Sequence, residues 1–584
     1  MELLYIYIED DGRNIKNCEF NFSPKHRFHY DKTTNTLSKE DICDYIPNFW
    51  GSNIKNITAV IGKNGAGKSN LIEFVIKAIA GKLENTKRIL AWTHKHQFFI
   101  NYQVENNFNA LTCRGLYTPF KSNDIYQIQD TLILYYSPNI DRKIITDRHN
   151  TNNFKDISTA NLIRFRDVAD NRDYHFPEVD YAQIIDTFRQ LLFLDRYEKS
   201  FLPSDITIPK FLDIELYCRE TNANHPTYQK HSINTEKNTF EKKLKNIILG
   251  QVFAQTISST WDESTPFNDV IGVNKRDADN LSFYDEMIKL YNQGDIECKI
   301  QQREGLRKWS DFKFSIKRTA IDGKIFTSIM DYYHKIGGFN NPSFTSVEHD
   351  SGYLNNSCII KWKGLSSGEL ALLNLFSRIF SKLSASKGEI FNRGNFEVID
   401  KDESKYKHVI LFLDEPELSF HPEWQRRFIY LLTTALSSVF KTFNFQIIVA
   451  SHSPILVSDF PKNNIIFLNK NDDGACMVEE SIGQENTFGA NIHTLYRNSF
   501  FIEGMPIGDF AKTKIEAVFN ILRNNEVVID KETENYCRKI IELIGEPILK
   551  KQLMKLLYER QSIADKIAYH EQEAIKLKAK LNKN

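Results

Sequence analysis

Residues 62–69 read GKNGAGKS, glycines and a lysine spaced as G-x-x-x-x-G-K-[ST]. This P-loop spacing suits phosphate binding. Gly62, Gly65 and Gly67 can take backbone angles that other residues resist. Successive N–H groups, that of Asn64 among them, can then turn toward a phosphate at a helix N-terminus, which already favours anions. Lys68 would reach the β- and γ-phosphates and Ser69 would ligate a metal, so ATP and Mg2+ are the cofactors expected. A second reactive pair, Asp414 and Glu415, ends the apolar run Val409–Leu413. A carboxylate there can hold Mg2+ through its water shell. A second beside it can polarise an attacking water as general base. Taken alone, the pair also fits an ordinary strand followed by an acidic turn.

The flanking segments can position these groups. NITAVI (56–61) is apolar and β-branched, long enough for a buried strand. Beyond the loop, Leu71, Ile72, Val75, Ile76 and Ile79 recur at helical spacing. The glycines therefore lie between a strand and a helix. Further on, QIIVASHSP (446–454) is a strand ending in Ser451-His452-Ser453.

The chain resembles the ABC ATPases in the order of its motifs. LSSGE (365–369) is similar to their LSGGQ signature, most closely to the LS-x-GE form of the SMC and RecF branch. Pro416, Leu418, His421 and Pro422 resemble the D-loop, and His452 resembles the switch histidine. The resemblance implies a composite site. Ser366 and the Gly368 N–H would contact a γ-phosphate bound to the P-loop of another copy, so a closed site would need a head-to-tail pair. Asp414 would serve Mg2+, Glu415 the water and His452 the γ-phosphate. Arg13 stands roughly where related ATPases place a basic residue near the adenine, and a plain surface arginine fits as well. Ser367 departs from the glycine of many families. Gln97, Gln103, Gln127 and Gln129 leave the Q-loop unassigned.

The fold class expected is α/β: an ABC-type P-loop ATPase head, a mixed sheet flanked by helices, with a helical insertion and a helical, coiled-coil-like C-terminal extension. Residues 1–145 would form the N-terminal half of the head, 146–350 a mainly helical insertion, 351–485 the C-terminal half, and 486–584 the extension. About 300 residues separate Ser69 from Leu365, more than one domain's internal connections need. Residues 150–350 carry no sustained heptads and are broken by NHPTYQ, GFNNPS and SDITIPK, which argues against a coiled-coil arm. That pattern resembles the stand-alone RecF/OLD-like AAA-type ATPases of bacterial defence islands. LLYIYIEDDGRNIKNCEFNFSP, ILYYSPNID (133–141) and TFGANIHTLYRNSFFIEGMPIGDFAKTKI (487–515) also resemble that group. Nearest within it are the ATPase subunits of Septu-type systems, which work with a separate HNH nuclease. The implied partners are a second copy of the chain and such a nuclease, with DNA or another nucleic acid left open.

Bulk properties exclude several classes. Lys and Arg total 75 against 75 Asp and Glu, so no global field draws the chain to nucleic acid or membrane. The eight cysteines include no C-x-x-C, which argues against a zinc hook or disulfide framework and suits a reducing compartment. No stretch has the apolar length of a membrane helix. The N-terminus lacks the pattern of a signal peptide. A soluble cytoplasmic protein without a membrane partner is expected.

An intrinsic nuclease is poorly supported. SFFIEGMPIG (499–508) offers Glu503 as the first element of a Toprim site, but the later Asp-x-Asp pair is missing. Asp530 and Glu532 are the nearest substitute, in a polar turn opening a helix. Asp147 and His149 read as a solvated loop. Two rival readings remain, a RecF-like repair ATPase acting directly on DNA and an OLD-like ATPase-nuclease. In the tail, Leu553, Ile567, Ala574 and Leu581 share one heptad position, interrupted by Arg560. Leu556, Ile563 and Leu577 share the next, interrupted by His570. This seam suits an assembly or docking contact, or a helix packed on its own domain.

Overall fold

A computed structural model describes residues 1–43, 45–81, 83, 86–103, 111–116, 120–122, 130–140, 153–164, 183, 186–194, 208–219, 240–255, 278–298, 309–336, 357–383, 388–392, 395–399, 406–479, 486–491, 509–524 and 529–560. They fall into two compact units, Met1–Phe500 and Phe501–Asn584.

The first unit opens with strands β1 (Glu2–Asp10), β2 (Lys16–Asn21) and β3 (Ile54–Gly62), then helix α1 (Lys68–Ile79). Strands β4 (Arg88–His94), β5 (Gln97–Gln103), β6 (Thr131–Tyr136) and β7 (Phe154–Asp156) follow. Farther along come α2 (Ser367–Leu383), β8 (His408–Asp414), α3 (Pro422–Val439), β9 (Asn444–Ser451), β10 (Ile465–Lys470) and β11 (Cys476–Glu479). The central sheet has seven strands in the order β7-β6-β8-β9-β3-β10-β11. Only β11 joins antiparallel; the other neighbours run parallel. Parallel strands covered on both faces read as continuous apolar runs. Accordingly, β3 is buried at every position except Lys55, and β8 at every position after His408.

A second sheet runs β2-β1-β4-β5, antiparallel, with the strand Phe120–Ser122 added parallel at its edge. One hydrophobic core joins the two sheets to α1, including Ile6, Ile8, Val75, Trp92, Ile133 and Phe412. A polar clamp fixes the packing. β1 shifts register between Leu3 and Tyr5. The Gln446 side chain of β9 accepts from Leu3 N and donates to Leu3 O, both at 2.7 Å. A buried amide thus satisfies the backbone where the ladder is interrupted.

The 146–350 insertion carries a sheet beside its helices. Its described residues combine helices Phe240–Gln255, Ala278–Asn292 and Gly323–Ile336 with an antiparallel sheet. That sheet orders Ile296–Glu297, Trp309–Lys317, Phe211–Arg219 and Ser357–Trp362. The reason is a period of two. Leu212, Ile214 and Leu216 alternate with Asp213 and Glu215, and Phe312, Phe314 and Ile316 are buried beside them. Asp213 and Glu215 take ion pairs from Lys313, and Glu215 takes another from Lys361. The expected boundary after residue 350 also cuts this sheet, because Ser357–Trp362 pairs with Phe211–Arg219.

The helix α2 is anchored to the lobe by buried polar groups. Arg378 lies 2.5 Å from Asp186 and donates to Ile157 O and Thr159 Oγ1. Gln190 donates to Asn374 and accepts from the Trp362 indole, each at 2.6 Å.

In the second unit, helices Asp509–Arg523, Lys531–Leu543 and Pro547–Arg560 share a core of Val518, Leu522, Cys537, Ile541, Leu553 and Leu557. Leu553, the first residue of the expected seam, is buried within this unit; residues 561–584, which carry most of the seam, lie outside the described residues. Asp530 caps its helix, accepting from Thr533 N at 2.8 Å, with Glu532 in the first turn. Both carboxylates thus serve a helix N-terminus. Glu503, Asp147 and His149 lie outside the described residues. No described helix is long and apolar enough to cross a membrane.

Candidate nucleotide site

The parallel strands aim their C-terminal ends at one cleft edge, where ligands bind in open α/β sheets. β3 ends in the P-loop, β8 in Asp414, β9 in Ser451 and β10 in Lys470. The glycines follow from close packing and backbone angle. A Cβ on Gly62 would lie 2.2 Å from Leu468 O on the neighbouring strand. Gly65 and Gly67 have φ of 71° and 103°, the left-handed region where a Cβ is strained. Asn64 lies in the turn between Gly62 and Gly65.

Lys68 is buried at the start of α1. Its Nζ donates to Gly62 O at 2.9 Å and Lys63 O at 3.1 Å, and lies 3.3 Å from His452 Nδ1. Burial pushes the Lys68 ammonium down to about 8, while Glu415, Asp414 and Glu417 oppose the shift. Ser69 Oγ donates to Asp414 Oδ1 at 3.2 Å, and the Tyr135 hydroxyl donates to Asp414 Oδ2 at 3.2 Å. Ser69 and Asp414 are hard oxygen donors of the kind Mg2+ takes.

Glu415 stands at φ 51°, with its N–H donated to Ala450 O. Its carboxylate lies 3.1 Å from His452 Nε2 and accepts from Asn139 Nδ2 at 3.2 Å. The bond from His452 holds Glu415 below the usual carboxylate range, with Asn139 helping and burial opposing. A left-handed non-glycine residue at a functional position is a place where strain is stored. Glu417, two residues on, is buried and accepts from the Ser451 hydroxyl and, at 3.1 Å, from His452 N. It fixes the turn that carries His452. Burial pushes the Glu417 carboxyl up despite these bonds.

The structure therefore brings together Lys68, Ser69, Asp414, Glu415 and His452. Ser366 and Gly368 contact a different set. Ser366 caps α2, its hydroxyl and N–H both donating to Glu369, whose own N–H returns to Ser366 Oγ. This is a capping box. A Cβ on Gly368 would lie 3.5 Å from Ser419 O and 3.6 Å from Trp424, so the turn packs on the segment after Glu415. In that segment Leu418 is exposed, His421 caps α3 and Pro422 begins it. Arg13 lies half-exposed against α1, paired with Glu73 at 2.7 Å and donating to Asn70 at 3.1 Å.

Several neighbours of the site carry no sequence motif of their own. Tyr135 and Asn139 fall in ILYYSPNID, which shows only a family likeness. Asn14 braces the loop, donating to Gly65 O at 3.2 Å and accepting from Asn70 at 2.8 Å. The place of Lys470 follows from strand order, because Leu468 pairs with Gly62 and carries the chain over the loop. A Cβ on Gly65 would lie 2.7 Å from Lys470 Nζ. This second cation faces the phosphate cradle. Lys470→Ala is expected to weaken ATP binding roughly tenfold, about 1.4 kcal/mol. Nucleotide titration of the folded variant checks this; an unchanged Kd removes Lys470 from the site.

The AAA ATPase domain family matches residues 46–457. A curated relative, the "Retron Vc95 probable ATPase" of Vibrio cholerae serotype O1 biovar El Tor, is 21% identical over 506 residues, covering 84% of this chain and 82% of the relative. The family match contains Lys68, Ser69, Asp414, Glu415 and His452. By this match over residues 46–457, which takes in the cluster at the strand ends, the chain belongs to the AAA ATPase domain family.

Proposed function

We propose that two copies of this chain close head to tail around ATP and Mg2+, and that hydrolysis at Glu415 reopens them to switch a partner nuclease in bacterial antiviral defence. The observation that carries the reading is the connected cluster of Lys68, Ser69, Asp414, Glu415 and His452. Lys68 binds phosphate, Ser69 and Asp414 hold the metal, Glu415 activates water and His452 senses the γ-phosphate. The signature turn, by contrast, uses Ser366 to cap its own helix and packs beside Ser419 and Trp424. Ser366 and Ser367 are nonetheless exposed, which leaves the turn open to cover the phosphates of a second copy. Leu418, 54% exposed next to the catalytic strand, is an apolar side chain of the kind such a contact buries. The defence setting rests on the likeness to the retron ATPase and on the Septu-type resemblance. The HNH class of partner rests on that resemblance alone.

Capture of the tagged full chain from its native cell, followed by mass spectrometry, tests the partner. The expected result is a small nuclease in fixed proportion to the chain. Recovery of the chain alone on DNA, with salt-dependent affinity, would favour an ATPase acting directly on DNA.

A further inference from the structure

A second cluster lies at the other end of the central sheet. His408 opens β8 and Asp414 closes it, so the two clusters stand about 20 Å apart at ~3.3 Å per residue. His94 ends β4, and Asp130 immediately precedes β6. One ring nitrogen of each histidine and one Asp130 carboxylate oxygen all lie within 4.8 Å of one another. His94 Nε2 is 3.7 Å from Asp130 Oδ2, and the imidazole rings cross at 77° with centroids 6.0 Å apart. The backbone helps hold the group together, because Asp130 O accepts from the N–H groups of Lys407 and His408.

Two atoms in this cluster are unsatisfied. Nδ1 of His94 and Nδ1 of His408 are both buried without a hydrogen-bond partner. A buried polar atom left alone costs about 1–3 kcal/mol, and an ion or ordered water is the usual remedy. Each histidine thus brings an unmet ring nitrogen to a group of potential metal ligands.

We propose that His94, Asp130 and His408 form a binding site for a divalent transition metal of the zinc class. Two imidazoles and a carboxylate suit a borderline cation, whereas Mg2+ and Ca2+ prefer all-oxygen shells. Three protein ligands leave a fourth position for water. Tetrahedral bonds of 2.0–2.1 Å would bring the ligand atoms to about 3.3 Å apart, so the side chains close inward by rotation. The site bridges the two sheets, since His94 belongs to the antiparallel sheet and His408 to the central one. The metal would therefore act as a clasp between them, remote from the phosphates.

The test uses the full chain without a histidine tag, stripped with chelator and titrated with Zn2+ and with Co2+. One Zn2+ per chain is expected, with a rise in melting temperature. Co2+ should give the visible bands of a low-coordinate nitrogen and oxygen site. His94→Gln and His408→Asn should each weaken Zn2+ binding by more than the roughly 10–100-fold that loss of an outer-shell partner costs. ATP turnover should remain. Absence of stoichiometric uptake by the unaltered chain overturns the proposal. So does wild-type affinity in either variant. Should both variants misfold, the Co2+ spectrum of the unaltered chain decides: no bands, no site.

Discussion

Glu415→Gln is expected to keep ATP and lose turnover by about 10²–10⁴-fold, the range that a positioned general base contributes. The substitution preserves shape and keeps a group able to meet Asn139 and His452, so the loop should hold its conformation. It removes the proton acceptor. The Glu415 carboxylate is held ionised by the His452 bond, the state a base needs. Steady-state phosphate release measures the loss, and nucleotide retention on a filter shows that binding survives. Wild-type turnover would mean that another group takes the proton. Lys68→Ala should fail one step earlier, with nucleotide no longer retained.

The second large effect comes from mixing two dead proteins. Lys68→Ala lacks phosphate binding; Ser366→Arg lacks a usable signature turn. If each site takes its P-loop from one copy and its signature from the other, a mixed pair restores one intact site of two. Random pairing then returns about a quarter of wild-type turnover, since half the pairs are mixed. A site completed within one chain predicts none. The comparison is internal, because each variant alone supplies the zero. A mixture as inactive as its components would remove the head-to-tail pair while leaving the P-loop chemistry intact.

The clustered residues Lys68, Ser69, Asp414 and Glu415 are legible in the sequence because their motifs are local. A strand, three glycines, a lysine and a serine lie within one short stretch, and Asp414 and Glu415 mark the end of an apolar run. The neighbours that tune them are not legible. Tyr135 and Asn139 meet Asp414 and Glu415, and Lys470 meets the loop, only through strand order, which no spacing announces. Arg13 shows the same limit. Its position beside α1 is given by Glu73 and Asn70, sixty and fifty-seven residues away. The sheet within the lobe escapes the sequence reading for a different reason. Missing heptads exclude a coiled-coil arm but say nothing of Leu212, Ile214 and Leu216, whose alternation with Asp213 and Glu215 marks a strand. The C-terminal helices show the reverse case, where Asp530 resembles a fragment of a metal pair and serves as a cap.

Arg378 has a mechanical consequence. It sits about three helical turns along α2 from Ser366, buried against Asp186, Ile157 and Thr159, with Gln190 bridging Asn374 to Trp362. Breaking such a buried ion pair costs about 3–5 kcal/mol, so the helix cannot easily slide against the lobe. The helix then works as a stiff lever whose longer arm ends at Ser366. A force applied at Ser366 would reach the lobe as rotation rather than being spent in bending the helix.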